Sequence, residues 1–227
     1  MELTILMPCL NESAAVDFCV REAVAYLRSR DIMGEVLIAD NGSSDSSREL
    51  ASAAGARVIT VPEKGYGNAI RRGITAAQGQ YIILGDCDGS YDFSDLDPIL
   101  IKLREGWQLV VGDRFSGGIA PGAMPFSHRY FGVPLLSWLG RRRYRVGISD
   151  FHCGLRGISR EAARKVDFRC SGMEFATEMI GRCADAGFRI TQVPVVLRRD
   201  LRRGPGHLRT IPDGMRHIML LLFWKRQ

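Results

Sequence analysis

With 227 residues, 46% hydrophobic and 25% charged, the chain is long enough to bury one core, and its composition excludes a disordered or low-complexity polymer. The net charge of +6 hides an imbalance, because residues 1–100 carry 8 Lys and Arg against 15 Asp and Glu, and residues 101–227 carry 23 against 10. A basic second half suits a polyanionic partner: nucleic acid, an acidic membrane surface or a phosphorylated substrate.

In chain order, short β-branched runs alternate with helix-like segments. Leu3 to Met7, Glu35 to Asp40, Arg57 to Val61, Tyr81 to Asp86 and Leu109 to Arg114 are predicted as buried strands. Helices are predicted from Ser13 to Arg30, Ser46 to Ala54, Asn68 to Ala77 and Phe93 to Arg104. Repeated βαβ units imply an α/β fold with a Rossmann-like, mostly parallel sheet and helices on both faces. The alternation stops at the Gly- and Pro-containing loop Ser116 to Met124. Beyond it are predicted a helix from Ser127 to Arg141, a short helix capped by Ser159, a helix from Gly172 to Ala186 and a strand from Phe188 to Leu197. The basic stretch Arg198 to Arg209, broken by Gly204-Pro205-Gly206, is predicted as a mobile loop before a terminal helix, Pro212 to Trp224. Residues 1–115 are thus expected as a Rossmann-like half, 116–211 as the second half of the same domain, and 212–227 as an amphipathic terminal helix.

In such sheets ligands bind beyond the carboxyl ends of the strands, where strand order reverses. Four polar clusters fall there: Pro8-Cys9-Leu10-Asn11-Glu12, Asp40-Asn41-Gly42-Ser43-Ser44-Asp45, Lys64-Gly65-Tyr66-Gly67 and Asp86-Cys87-Asp88. Asp86 and Asp88, two apart on an extended segment, project to one side and can share one hard cation; the alternative is a solvated turn before the helix at Phe93. A cation fixed there would stabilise charge on a leaving diphosphate. Asp40 either belongs to a turn-forming cluster that caps the helix at Ser46 or accepts hydrogen bonds from a ribose or base. Asp45 reads in part as a cap for the helix at Ser46, and Glu12 as a first-turn helix acid. Gly65 and Gly67 lack a third glycine at position 70, and no Walker sequence is present, which disfavours a dehydrogenase or P-loop enzyme. They would still let backbone amides approach an anion at a helix start.

The six cysteines are scattered, with no C-x-x-C pair and no zinc-finger spacing, so a reducing, cytoplasmic setting is expected. The opening Met-Glu-Leu-Thr-Ile runs straight into a strand-like segment, so a signal peptide is not expected there. The apolar run Ile218 to Trp224 falls far short of the roughly 20 residues a membrane-spanning helix needs.

These motifs together resemble the family 2 glycosyltransferases of the GT-A fold, and within them the polyprenyl-phosphate (dolichyl-phosphate) sugar synthases. The resemblance is carried by Pro8-x-x-Asn11-Glu12, Asp40-x-Gly42-Ser43-x-Asp45, Gly65-x-Gly67, Gly85-Asp86-Cys87-Asp88-Gly89-Ser90, Gly112-x-Arg114-Phe115, Arg129 with Ser137, Asp150 to Arg156, and Gly172-Met173-Glu174-Phe175-x-x-Glu178. It implies that Pro8, Asn11, Glu12, Asp40 and Asp45 frame the nucleotide, along the same rim as Ser43, Lys64, Gly65 and Gly67. It implies that Asp86 and Asp88 bind magnesium or manganese, and that Arg114, Arg129 and Arg156 face the acceptor. Ser90 stands where the mannose synthase branch often has Gln, so that ligand is missing or replaced by water.

The expected function is therefore inverting, metal-dependent transfer of a sugar from a nucleotide diphosphate donor, UDP-sugar ahead of GDP-mannose, to polyprenyl phosphate. Arg129, Arg156 and the loop bearing Arg199 and Arg202 are expected to receive the acceptor phosphate. The terminal helix is expected to lie on the cytosolic membrane face, with Lys225 and Arg226 near anionic headgroups. One rival uses the same donor on a hydroxyl acceptor, which needs a general base; Asp150 is the candidate. A second rival is a nucleotidyltransferase. A nucleic-acid module is disfavoured, because no aromatic and basic interleaving is present and the acidic rim would be unexplained.

Overall fold

A computed structural model, which describes residues 1–202 and 210–223, gives the fold. β1 (Leu3–Cys9) is buried along almost its whole length, and its near-continuous apolar character follows from cover on both faces. It pairs in parallel with β2 (Gly34–Asp40) on one side and β4 (Tyr81–Leu84) on the other. Outside β2 lies β3 (Arg57–Thr60), parallel again. The sheet continues past β4 through β6 (Arg156–Ser159) and β5 (Leu109–Asp113) to β7 (Ile190–Pro194), in the order β3-β2-β1-β4-β6-β5-β7. β6 is antiparallel to both neighbours, and every other pair is parallel.

The predicted alternation is present, with shifted boundaries. Helices α1 (Val16–Ser29), α2 (Ser47–Ala53), α3 (Tyr66–Ala76) and α4 (Asp97–Arg104) connect the first five strands. α4 starts four residues later than expected, with Pro98 in its first turn, because Phe93 and Leu96 are drawn into the core as a turn. A short helix, α5 (Arg114–Gly117), follows β5, and Asp113 caps it by accepting the amides of Phe115 and Ser116. The expected helix after the 116–124 loop is a π-helical turn, His128–Gly132, running into α6 (Val133–Tyr144). Next come α7 (Arg160–Lys165), capped by Ser159 as expected, then α8 (Phe175–Asp185) and α9 (Thr210–Phe223). Strand β6 was not predicted, because Arg156-Gly157-Ile158-Ser159 holds one β-branched residue and no alternation. Residues 203–209 of the predicted mobile loop, with Trp224, Lys225 and Arg226, lie outside the described residues.

The chain lays β1, β2 and β3 to one side, then crosses back to place β4 against the other edge of β1. Strand order therefore reverses between β1 and β4, and a crevice opens beyond their carboxyl ends.

Candidate active site

Three loops at this crevice are stitched to one another by side-chain bonds to backbone. Asn11, in the left-handed region at φ 55°, accepts the Ser44 amide at 2.8 Å, and its own amide donates to Ser43 Oγ at 2.9 Å. The Glu12 amide donates to Ser47 Oγ at 2.8 Å, and Asp45 accepts the amides of Ser13 and Ser47 at 3.1 and 3.0 Å. Asn41 Nδ2 donates to Glu63 O at 2.8 Å while its Oδ1 accepts the Gly65 amide at 2.7 Å, tying the loop after β2 to that after β3. Asn41, which the motif reading did not single out, thus links two rim loops.

These bonds decide what several predicted ligands do. Asp40 is fully buried and accepts the amides of Gly42 and Ser43 at 3.1 and 3.2 Å, so it faces its own turn and not the cavity. Lys64 Nζ donates to the carbonyls of Asn41 and Gly42 at 2.8 and 3.3 Å. The amides assigned to an anion at Gly65 and Gly67 are engaged: Gly65 with Asn41, and Gly67 with Ser171 O at 2.9 Å. A Cβ on either glycine would collide with the Cys170 or Ser171 carbonyl, so the two residues serve close approach of the 170–171 segment.

The cavity at this rim has a volume of about 650 Å³, within the size range of nucleotide and cofactor sites, and it has an acidic end. Pro8, Glu12, Asp86 and Asp88 line that end. Asp88 Oδ1 accepts the Ser90 amide at 2.9 Å and the Ser90 hydroxyl at 2.5 Å, so Ser90 orients this carboxylate. Asp88 Oδ2 accepts Arg202 Nη2 at 2.8 Å, and Arg202 Nε donates to both oxygens of Glu12 at 2.8 and 3.0 Å. Arg202, expected to face the acceptor, therefore bridges Glu12 and Asp88 at the acidic end. Its segment is held over them by Leu201 N to Asp88 O and Arg198 N to Ser90 O, both 2.8 Å.

Burial, then repulsion from Asp88, pushes the Asp86 carboxyl up to about 6, against the pull of Arg202 and a Tyr66 hydrogen bond. Burial likewise raises Glu12 to about 7, although Arg202 opposes it. Gly154 packs so closely on Asp86 that a Cβ there would strike Oδ2. The acidic end is thus an undercompensated cluster, which a divalent cation would relieve. Among the described residues no three metal-ligating side chains converge, so two carboxylates would leave the remaining positions to diphosphate oxygens and water, as magnesium commonly accepts.

The arginines expected to grip phosphate are largely committed elsewhere. Arg114 is buried in a two-pronged pair with Asp150, Nε to Oδ2 at 2.6 Å and Nη2 to Oδ1 at 2.9 Å. Asp150 is wholly buried and also accepts the amides of Arg114 and His152, so it holds this loop and does not face a substrate hydroxyl as a base must. Arg156 is buried too, donating to the carbonyls of Cys153, Ala176 and Phe151 at 2.6, 2.5 and 2.7 Å. Both residues depart from the expected acceptor and base roles for one reason: a buried charge must be paired or hydrogen-bonded, and the fold supplies those partners. Arg129 is half-buried with its guanidinium 5.5 Å from the Tyr130 ring centroid, and Arg199 is exposed beside Gly122. The cavity is also lined by His128, Arg216 and His217, which the motifs did not flag, and by His152, which lies within the Asp150 to Arg156 motif but was given no role.

A doubly covered α/β sheet with one antiparallel strand, and paired carboxylates at the switch point of its crevice, defines a GT-A transferase. The chain belongs to glycosyl transferase family 2, whose model matches residues 4–167. It is 38% identical over 221 residues to the low-salt glycan biosynthesis hexosyltransferase Agl6 of Haloferax volcanii, covering 97% of this chain and 53% of that protein. This chain thus spans about half the length of Agl6. A dolichyl-phosphate hexose transferase of the same organism is 27% identical, covering 87% of this chain and 83% of the relative. Among solved structures, glucosyl-3-phosphoglycerate synthase of Mycobacterium tuberculosis, in complex with Mn2+, UDP-glucose and phosphoglyceric acid, superposes with a TM-score of 0.73 at 23% identity, covering 97% of this chain and 78% of that one. At that identity the likeness concerns the fold.

Proposed function

We propose that the protein is an inverting, metal-dependent hexosyltransferase that moves a sugar from a nucleoside diphosphate donor, UDP-sugar ahead of GDP-mannose, to polyprenyl phosphate. The observation that carries this reading is the undercompensated pair Asp86 and Asp88 at the switch-point crevice, beside a cavity large enough for a nucleotide sugar. A bound magnesium or manganese ion would neutralise charge developing on the leaving diphosphate. The residues then divide the work. Asp86 and Asp88 hold the ion, and Ser90 fixes the rotamer of Asp88. Pro8 and Asn41 shape the nucleoside end, with Asp40 and Asp45 keeping the loops in place. Arg202, which reaches Glu12 and Asp88 from outside, would be placed to grip a diphosphate at the acidic end. A phosphate acceptor is already anionic and needs no base, which agrees with the engagement of Asp150 by Arg114.

The metal role has a pH signature. Because the folded-state values of Asp86 and Glu12 are raised, both groups bind protons more readily folded than unfolded. Their contribution to stability therefore falls as pH rises from the ordinary carboxylate range of about 4 through about 6 and 7. A cation bound to the ionised pair reverses that loss. The rise in thermal midpoint caused by Mn2+ should be small at pH 5 and grow towards pH 7.5, measured by scanning fluorimetry. A metal-induced shift that is the same at both values would remove the carboxylate pair as the metal site.

Support for a lipid acceptor comes from the outer surface of α9 and the π-helical turn. α9 turns Asp213, His217 and Leu221 inward, while Met215, Met219, Leu222 and Phe223 are exposed. Phe126, Tyr130, Phe131, Leu135 and Trp138 are exposed on and before α6, which contacts α9, and Arg142 stacks on Trp138. An apolar outer surface edged with arginine fits the interfacial layer of an anionic membrane. No helix among the described residues is long and apolar enough to cross a membrane. Leu222→Asp should lower partitioning onto vesicles containing phosphatidylglycerol by roughly tenfold, from the lost burial of one large side chain, without changing the unfolding midpoint. Equal partitioning by the variant and the parent would argue against α9 as the membrane contact. The acceptor itself is tested by supplying the donor with a short prenyl phosphate or with the matching prenyl alcohol. Transfer to the phosphate alone is the expected result.

A further inference from the structure

Beyond β7 the chain runs as a strap across the acidic end of the cavity. Leu197 is fastened to the 118–120 loop, its amide donating to Gly118 O and its carbonyl accepting the Ala120 amide, both at 2.9 Å. Arg198 is pinned on the other side by ion pairs with Glu22 and Asp92. Leu201 lies on Gly89, where φ is 84° and an added Cβ would come within 2.7 Å of the leucine side chain. Together with the backbone bonds to Asp88 and Ser90, these contacts deliver the Arg202 guanidinium to Glu12 and Asp88.

The bonding of Asp88 decides where a cation can attach. Oδ1 is occupied by the amide and hydroxyl of Ser90, and Oδ2 accepts Arg202 Nη2 at 2.8 Å. A cation drawn to Asp88 therefore meets the oxygen that the guanidinium already holds, and two positive groups at one oxygen repel each other. The other side of the guanidinium is committed as well, with Nε at 2.8 and 3.0 Å from the two oxygens of Glu12.

Resting on the metal reading above, we propose that Arg202 competes with the divalent cation for Asp88 and yields to it only when a diphosphate takes up the guanidinium, so that Arg202 couples metal binding to donor binding.

The exchange follows from what each group can bond. A guanidinium needs acceptors that match its planar fork, and phosphate oxygens supply them as carboxylates do. A cation arriving alone supplies none, so it either shares Asp88 with a like charge or strands the guanidinium without a partner. When a diphosphate arrives with the ion, its oxygens bond the ion and also give Arg202 new partners. Arg202 thus penalises the ion alone, and the donor removes that penalty. Such a coupling is reciprocal: the factor by which diphosphate strengthens metal binding is the factor by which metal strengthens diphosphate binding.

The test uses Arg202→Gln, which removes the charge, and Arg202→Lys, which keeps the charge without the fork. Titration calorimetry at pH 8 gives the affinity of each for Mn2+ alone, for UDP alone and for UDP in saturating Mn2+. Arg202→Gln should bind Mn2+ alone roughly tenfold more tightly than the parent, within the range usual for coupled sites, and the factor by which Mn2+ strengthens UDP binding should shrink to a similar extent. Arg202→Lys should fall between the parent and Arg202→Gln in both quantities. Thermal unfolding reports whether each variant is folded, and Arg202→Lys carries the test by itself if Arg202→Gln is not. A residue that merely fastened the strap would not restrain the ion. Mn2+ binding that is unchanged or weaker in the folded variants would therefore overturn the role of Arg202 and leave the metal reading intact. An Arg202→Lys variant that matches Arg202→Gln would overturn competition by charge. Absence of Mn2+ binding to the parent chain, with and without UDP, would overturn both readings.

Discussion

Asp88→Asn is expected to lower sugar transfer by on the order of 10³-fold, the scale seen when one group that stabilises transition-state charge is removed. The substitution keeps volume and lets Oδ1 go on accepting the Ser90 amide and hydroxyl. What it removes is the charge that faces Arg202 and repels Asp86. Losing the first contact costs stability and losing the second returns some, and the Arg202 pair with Glu12 survives. The unfolding midpoint in urea should therefore move little while activity collapses, with Mn2+ no longer strengthening nucleotide binding. Transfer that persists in the variant, or in the parent protein with excess chelator, would sink the metal assignment.

Asp150→Ala is expected to do the opposite: a large loss of stability with chemistry retained in the molecules that fold. It would strip Arg114, itself buried, of two charge-assisted bonds and leave a guanidinium uncompensated inside the protein. Breaking one side of such a pair costs about 3–5 kcal/mol, more than the worth of the pair itself, because the orphaned ion stays desolvated. Urea unfolding measures that loss, and transfer to a prenyl phosphate at low temperature measures the chemistry. If Asp150 were instead the base of a hydroxyl-acceptor enzyme, the variant would lose transfer without a matching loss of stability, and the hydroxyl rival would displace the phosphate reading.

The sequence by itself determined the alternation of strands and helices through Asp113, the polar clusters at the strand ends and the pair Asp86 and Asp88. Each of those signals is local: the alternation is a periodicity within a dozen residues, and the clusters sit where a strand must stop. β6 escaped because four residues with one β-branched side chain have no period to read, and its antiparallel direction depends on β4 and β5. The tertiary structure alone decided which charges were free. Arg114 meets an acid 36 positions on, and Arg202 meets one 190 positions back, so a basic count near the acceptor half did not reveal that both were occupied. Arg156 finds two carbonyls on its own segment, those of Phe151 and Cys153, and a third on Ala176 that reaches it only on folding.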